Sequence, residues 1–310
     1  MNTIKGITAV MLTPFTDEGE IDWGGCERLV EWYLANGIDT IFAVCQSSEM
    51  HHLTLRERVE LARFVVKRVN GRVPVLASGH VSYTVDDQID ELTAVAGTGI
   101  DCLVLVTNRF PANASAKTAD VDAAFQDLLD RLPGDIPLGL YECPQPFRRL
   151  LTDDQVRFAA ETGRFVFMKD VSCERETVKR RARIAAGSPL SIVNASAAIA
   201  WPAMQATGAG FSGVFSNFHP DLYAWLMRHG AERPDVADRL STHLVLAAMA
   251  ESQGHPAVGK LWHQRLGTFE SIKCRSIDYD ILERHWALNE ILDRMAAGDA
   301  AFRAELGISS

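Results

Sequence analysis

An α/β fold, a (β/α)8 TIM barrel with a C-terminal helical extension, follows from three features of the sequence. Short apolar, β-branched runs alternate with helical patterns through the first two thirds of the chain, at a spacing of about 25 to 35 residues. That rhythm points to parallel strands joined by right-handed crossovers, and eight such units suffice to close a ring. From Arg233 onward the strand runs stop and only helical periodicity remains. An open doubly wound sheet is the alternative architecture for the same rhythm. The barrel is assigned to residues 1–230 and the extension to residues 231–310.

The first strand is predicted from Ile7 to Leu12, closed by Thr13-Pro14. Asp22 is placed to cap a helix whose stripe is Cys26, Leu29, Val30 and Tyr33 and which ends at Gly37. Strand two is Thr40 to Val44, and Thr54 with Glu57 has the spacing of a capping box for the next helix. Val73 to Ala77 and Cys102 to Val106 are strands three and four, followed by helices over Thr84–Ala96 and Ala119–Leu132. Leu138 to Tyr141 is strand five, with a Thr152-capped helix over Asp153–Glu161. Phe165 to Lys169 is strand six, and strict alternation puts Phe165, Phe167 and Lys169 on one face. A helix over Glu176–Ala186, strand seven from Leu190 to Asn194, and a helix over Ala197–Thr207 come next. Phe211 to Phe215 is strand eight, leading to a helix after Pro220. In the extension, Leu240, Leu244, Ala247 and Met249, then Val258, Leu261 and Trp262, then Leu282, Trp286, Leu288 and Leu292 recur at helical spacing. Those stripes must bury against the barrel or a second subunit.

With 47% hydrophobic and 23% charged residues, the 310-residue chain has ordinary globular composition and length enough for a large core. Its 31 basic and 40 acidic side chains give a net charge of −9, which argues against nucleic acid or an anionic membrane as partner. The 6 cysteines form no C-x-x-C pair, so neither a zinc ribbon nor a disulfide framework is indicated. Reduced thiols, the absence of a signal-peptide layout at Met1–Lys5 and the lack of a membrane-length apolar run lead us to expect a cytoplasmic protein.

In such a barrel the chemistry lies at the C-terminal ends of the strands. Those ends carry Thr13-Pro14-Phe15, Cys45-Gln46-Ser47-Ser48-Glu49, Thr107-Asn108-Arg109-Phe110, Tyr141-Glu142-Cys143-Pro144 and Lys169-Asp170. A lysine at the end of an apolar strand is a candidate Schiff-base nucleophile, because apolar surroundings disfavour the ammonium form. Considered alone, it also reads as a lysine that snorkels into water. Tyr141 falls at the matching level of the adjacent strand, where a phenol can shuttle protons for carbonyl chemistry. Ser47 and Ser48 offer hydroxyls and backbone N–H groups to a carboxylate, although their types also suit an ordinary turn.

These segments, in this order and spacing, resemble the dihydrodipicolinate synthase / N-acetylneuraminate lyase family of class I aldolase-type barrels. The resemblance runs from Gly6-Ile7 and Leu12-Thr13-Pro14-Phe15 through Asp22, the Gly37 turn and Ser47-Ser48-Glu49 before Leu53-Thr54. It continues through Tyr141-Glu142-Cys143-Pro144 and Lys169-Asp170 to Gly208-Ala209-Gly210 and Gly213. It implies that Lys169 forms a Schiff base with pyruvate or another 2-keto acid, without a cofactor. It implies further that Tyr141 relays protons, that the Ser47-Ser48 segment holds the keto-acid carboxylate, and that the protein is a homotetramer, a dimer of dimers. The chain departs from the family pattern at Cys45 and Ser48, which replace glycines, and at Gln46, which replaces a relay hydroxyl. Phe110 stands where the synthase has a tyrosine pair, and Arg148 and Arg149 come later than its carboxylate-binding arginine. The expected activity is therefore a lyase, aldolase or dehydratase on a sugar-derived 2-keto-3-deoxy acid, with Arg109 or Arg148 contacting its anionic group. Condensation of pyruvate with an aldehyde, as in the synthase, and non-catalytic binding of a 2-keto acid are the alternatives.

Other signals carry less. Gly208-Ala209-Gly210-Phe211-Ser212-Gly213 matches a dinucleotide fingerprint but precedes a strand instead of following one. His51 and His52 are adjacent and point apart, which does not suit a metal. Cys45, Cys143 and Cys173 near the mouth read as small apolar lining.

Overall fold

The computed structural model describes residues 4–308. Eight parallel strands close into a barrel in sequence order, β1 next to β2 and onward until β8 returns to β1. They are β1 (Gly6–Val10), β2 (Thr40–Val44), β3 (Val75–Ala77), β4 (Cys102–Val106), β5 (Leu138–Tyr141), β6 (Phe165–Asp170), β7 (Ser191–Asn194) and β8 (Gly210–Phe211). The intervening helices are α1 (Trp23–Ala35), α2 (Leu55–Val69), α3 (Val85–Ala96), α4 (Thr118–Arg131), α5 (Asp153–Glu161), α6 (Arg175–Ile184), α7 (Ala200–Thr207) and α8 (Pro220–His229). Beyond them lie α9 (Pro234–Ala247), a 3-10 segment (Ala248–Gln253), α10 (Ala257–Arg265), the short α11 (Ile281–Arg284) and α12 (Leu288–Leu306).

Local chemistry sets many of these boundaries. The Asp22 carboxylate accepts from Gly25 N, and Thr54–Glu57 and Thr152–Gln155 form reciprocal capping boxes. Each such cap contributes on the order of 1 kcal/mol to its helix. Ring closure depends on two glycines. Gly6 and Gly210 both have positive φ, and a Cβ on Gly210 would lie 1.9 Å from the Gly6 carbonyl oxygen. Only a residue without a side chain lets β1 and β8 come this close.

Three expectations need correction. Strands one and eight are shorter than their apolar runs: β1 stops at Val10, and beyond Phe211 the chain turns into a 3-10 helix over Val214–Asn217. Apolarity there reflects burial in turns, a signal that does not distinguish strand from buried coil. Ala197–Ile199 likewise form a 3-10 turn before α7 begins. Finally, Phe165 does not share a face with Phe167 and Lys169. The β5–β6 register slips at Val166, pairing Leu138 with Phe165 but Gly139 with Phe167. One extra residue reverses the facing. The Phe165 ring therefore packs outward, 5.7 Å from Phe125 of α4, while Phe167 lies inside, 6.2 Å from Phe42 of β2.

The extension is tied to the barrel by buried polar groups as well as by its stripes, from which Met249 and Trp286 are exceptions: they sit at breaks between helices and are 66% and 91% exposed. Asp299 of α12 is fully buried and meets Nδ1 of His219 at 3.1 Å and Nε2 of His243 at 2.8 Å. Burial alone would raise its pKa, but the two imidazoles outweigh that and lower it. Arg303 of α12 makes a two-armed contact with Asp221 of α8, at 2.6 and 2.9 Å. Lys260 of α10 reaches into the barrel's upper rim, where its Nζ donates to Glu49 at 2.6 Å and to the Lys273 carbonyl at 2.6 Å. No helix among the described residues is long and apolar enough to cross a membrane.

Candidate active site

Pairing places Tyr141 directly opposite Lys169 at the tops of β5 and β6. Because side chains alternate, the next residues, Glu142 and Asp170, point the other way, toward α6. There Arg181, itself 1% exposed, donates to Glu142 at 3.0 and 2.8 Å, to Asp170, and to the Leu151 carbonyl at 2.7 Å. Glu142 also accepts from the Leu151 and Val171 backbone N–H groups, at 2.7 and 3.0 Å. Burial holds the Glu142 carboxyl above its ordinary pKa although Arg181 works against that, and the neighbouring Asp170 charge pushes it further up. The ion-paired layer behind the two strands fixes the height and direction of the phenol and the amine in front of it.

Lys169 is 5% exposed and has no salt-bridge partner among the described residues. Its Nζ stands 4.6 Å from the centre of the Tyr141 ring. Desolvation lowers its pKa, which enriches the free amine at neutral pH. The same dryness raises the Tyr141 pKa well above that of a free phenol, so Tyr141 keeps its proton and donates it. Its hydroxyl points to Gln46 Oε1 at 3.4 Å, and the Cys143 thiol approaches the same oxygen at 3.5 Å.

Lys169, Tyr141, Gln46 and Ser47 share one cavity of ≈ 320 Å3 at the C-terminal mouth. Its walls beyond the lysine are mostly apolar, with Val171, Val214, Val245, Ala248 and Met249 among them. Ser48 is not part of the lining. It is fully buried, and its hydroxyl accepts from Cys45 N at 2.7 Å and donates to Cys45 O at 2.6 Å, stapling the loop that presents Ser47. Arg148 is exposed, donates to the Val171 carbonyl at 3.1 Å and is absent from the lining as well. Arg109 lies in an adjoining cavity of ≈ 630 Å3 that shares only Gln46 and His255 with the lysine's chamber. Lys169 is thus the sole basic side chain among the described residues lining its own cavity, His255 aside. Of the three cysteines expected to line the mouth only Cys173, which is exposed, does so; Cys45 and Cys143 are buried near the lysine behind the lining.

Two lining residues, Glu251 and His255, come from the extension and were not singled out from the sequence. The Ser47 hydroxyl lies 3.0 Å from Nε2 of His255. Burial and the charge of Lys169 lower the His255 pKa to about 3, so the imidazole is neutral. The strand-two loop is tied to the extension through Glu49, which takes a left-handed backbone (φ 60) and accepts from Lys260, Arg275 N and both the N–H and hydroxyl of Ser276. Burial opposes ionisation of Glu49, but these donors prevail and lower its pKa. The signal in the sequence was Glu251-Ser252-Gln253-Gly254-His255, a polar break between two apolar helical stripes.

A closed parallel barrel with a dry lysine and a phenol at its catalytic face defines the class, that of lysine-dependent aldolase-type lyases. The Dihydrodipicolinate synthetase family model matches residues 3–276, and the chain belongs to that family. It is 28% identical over 259 residues to the 4-hydroxy-tetrahydrodipicolinate synthase of Oceanobacillus iheyensis, covering 83% of this chain and 84% of that one. The synthase of Bacillus subtilis is 27% identical over 214 residues, 68% of this chain and 71% of the relative. The crystal structure of a dihydrodipicolinate synthase from Bacillus anthracis superposes with a TM-score of 0.85 at 23% identity, over 94% of this chain and 99% of that one. This likeness shows the shared fold.

Proposed function

We propose that the protein cleaves or dehydrates 2-keto acids through a Schiff base on Lys169. The observation that carries this reading is a desolvated amine, without an ion-pair partner among the described residues, in register with a phenol inside one cavity. Neutral Nζ attacks the C2 carbonyl of the keto acid, and the carbinolamine loses water to give an iminium. Tyr141 relays the protons these steps need, and Gln46 orients its hydroxyl. Ser47, held by His255, and the backbone N–H groups of its loop receive the carboxylate. The iminium then takes up the electron pair released when the bond beyond C3 breaks.

The walls bear on the substrate. Among the described residues the cavity has no basic side chain but Lys169 and the neutral His255, so a distal carboxylate or phosphate finds no partner there, and burying an unpaired charge is costly. The fragment beyond C3 is accordingly uncharged, and neither Arg109 nor Arg148 serves it. Family resemblance and the thiol pattern support a cytoplasmic homotetramer, for which Trp286 and Leu246, 91% and 68% exposed on the extension, offer apolar contact surface. Sedimentation equilibrium tests the tetramer.

Borohydride reduction in the presence of pyruvate, followed by peptide mass spectrometry, tests the central step. A reduced pyruvyl adduct on Lys169, absent from Lys169→Ala, is the expected result. Binding of pyruvate without an adduct would instead mark a keto-acid-binding protein, and an adduct on another lysine would displace Lys169 from the role.

A further inference from the structure

The helical tail brings one imidazole to the lysine's cavity and holds it in a fixed place. His255 lies between the 3-10 segment Ala248–Gln253 and α10, and it lines the same chamber as Ser47. Glu49, at the end of the Ser47 turn, accepts from Lys260 of α10 at 2.6 Å, and both of these side chains are buried. This clamp locks the strand-two loop to the tail, with His255 Nε2 and Ser47 Oγ 3.0 Å apart. Ser47 is 4% exposed, and its hydroxyl has no other partner among the described residues. A bond between an imidazole and a hydroxyl can run either way, and its direction decides what Ser47 can do. Were Ser47 the donor, its only proton would be spent on the ring and its lone pairs would face an incoming carboxylate. Were His255 the donor, the Ser47 proton would stay free for that carboxylate. The ring is neutral and carries a single N–H, so the bond made at one nitrogen fixes the state of the other. Nδ1 is buried and has no partner among the described residues. A proton there would be a stranded donor, whereas a proton on Nε2 finds the Ser47 oxygen.

We propose that His255 is a positioning residue that donates from Nε2 to Ser47 and so leaves the Ser47 O–H aimed at the carboxylate of the bound keto acid. This deepens the proposed function and rests on it, with Lys169 as the Schiff-base lysine and Ser47 as the carboxylate's partner. The two bonds run in one direction, from Nε2–H to Oγ and from O–H to the carboxylate, so each polarises the other. His255 acts through Ser47 alone. Its influence therefore falls on affinity for the carboxylate end of the substrate, and the steps at C2 proceed without it.

The test uses the full-length protein and follows the rate of borohydride trapping on Lys169 against the concentration of pyruvate and of its methyl ester. Native protein is compared with His255→Leu, His255→Gln, Ser47→Ala and the Ser47→Ala/His255→Leu double variant, each checked for native circular dichroism. His255→Leu is expected to raise the half-saturating pyruvate concentration about tenfold, with the limiting rate kept and the ester affected less than about threefold, because a hydrogen bond to a charged acceptor is the stronger one. His255→Gln, whose amide nitrogen reaches the place of Nε2, is expected to restore native half-saturation. The double variant is expected to bind pyruvate no worse than Ser47→Ala, since both changes remove one interaction. Should the leucine variant not fold, His255→Asn, whose amide stops at the place of Nδ1, takes its part with the same expectation. Native half-saturation in the donor-deficient variant, an equal loss for pyruvate and ester, a folded glutamine variant as weak as leucine, or additive losses in the double variant each overturns the His255 role alone. Unchanged half-saturation in Ser47→Ala removes the Ser47 reading, and failure of the native protein to trap pyruvate removes the Lys169 reading; the role of His255 falls with either.

Discussion

Replacing Arg181 with methionine isolates the contribution of the ion-paired layer behind β5 and β6. The guanidinium donates to two carboxylates that are both completely buried and to one backbone carbonyl. Methionine roughly preserves the volume but leaves Glu142 and Asp170 facing each other with no cation. Removing one partner from a buried ionic group typically costs about 3–5 kcal/mol, since the remaining charge stays desolvated. With a urea m-value of roughly 3 kcal/mol/M, the unfolding midpoint should fall by about 1 M or more. The pH dependence gives a sharper test. Glu142 already has a raised pKa in the folded protein, and removal of Arg181 raises it further. A carboxyl whose folded pKa lies above its unfolded value favours folding below the unfolded value and loses that contribution as pH rises through the folded pKa. The deficit of Arg181→Met relative to the native protein should therefore be largest at pH 7.5 and shrink toward pH 5. Urea melts at the two pH values, read by tryptophan fluorescence, would measure it. A loss below about 1 kcal/mol at pH 7.5, or a deficit that grows on acidification, would refute the argument.

Four further outcomes follow from the same structure. Adduct formation with pyruvate should slow as pH falls below the depressed pKa of Lys169, because only the free amine attacks; rates that are flat or rise toward acid pH would contradict its desolvation. Arg148→Ala should leave KM for 2-keto acids within about twofold, since its side chain is exposed and absent from the cavity lining; a KM several-fold higher would return it to the site. Gly210→Ala should cost about 3 kcal/mol or more by forcing apart the β1–β8 seam, which a thermal melt would register as a large fall in Tm. His80 and His263 are buried with pKa values lowered to about 4 and about 3, so unfolding takes up protons below their ordinary 6.5. Stability attributable to them is complete above pH 6.5 and is lost as pH falls toward 4, and replacing either by an apolar residue of similar size should flatten that decline.

Much of the barrel was legible because its information is local. Caps such as Thr54–Glu57 and Thr152–Gln155 are written within four residues, and the β–α rhythm follows from burying each strand on both sides. Lys169 and Tyr141 were legible for a related reason: both end strands, and strands adjacent in sequence are adjacent in the ring. What failed depended on register or on distant packing. The slip at Val166 turned Phe165 outward, and no pattern within six residues reports a slip. Residue type alone also did not report that the Ser48 hydroxyl closes its own turn or that the Arg148 side chain is exposed.

By itself, the sequence determined the closed parallel barrel, the helical tail and the paired amine and phenol, because periodicity and strand order are short-range properties. Only the tertiary structure decided that the tail brings Glu251 and His255 to the lysine and that both candidate arginines lie elsewhere. Residue types at a barrel mouth state what a side chain can do. Whether it meets the substrate depends on packing across more than two hundred residues, as between Ser47 and His255, which are 208 positions apart and 3.0 Å from each other.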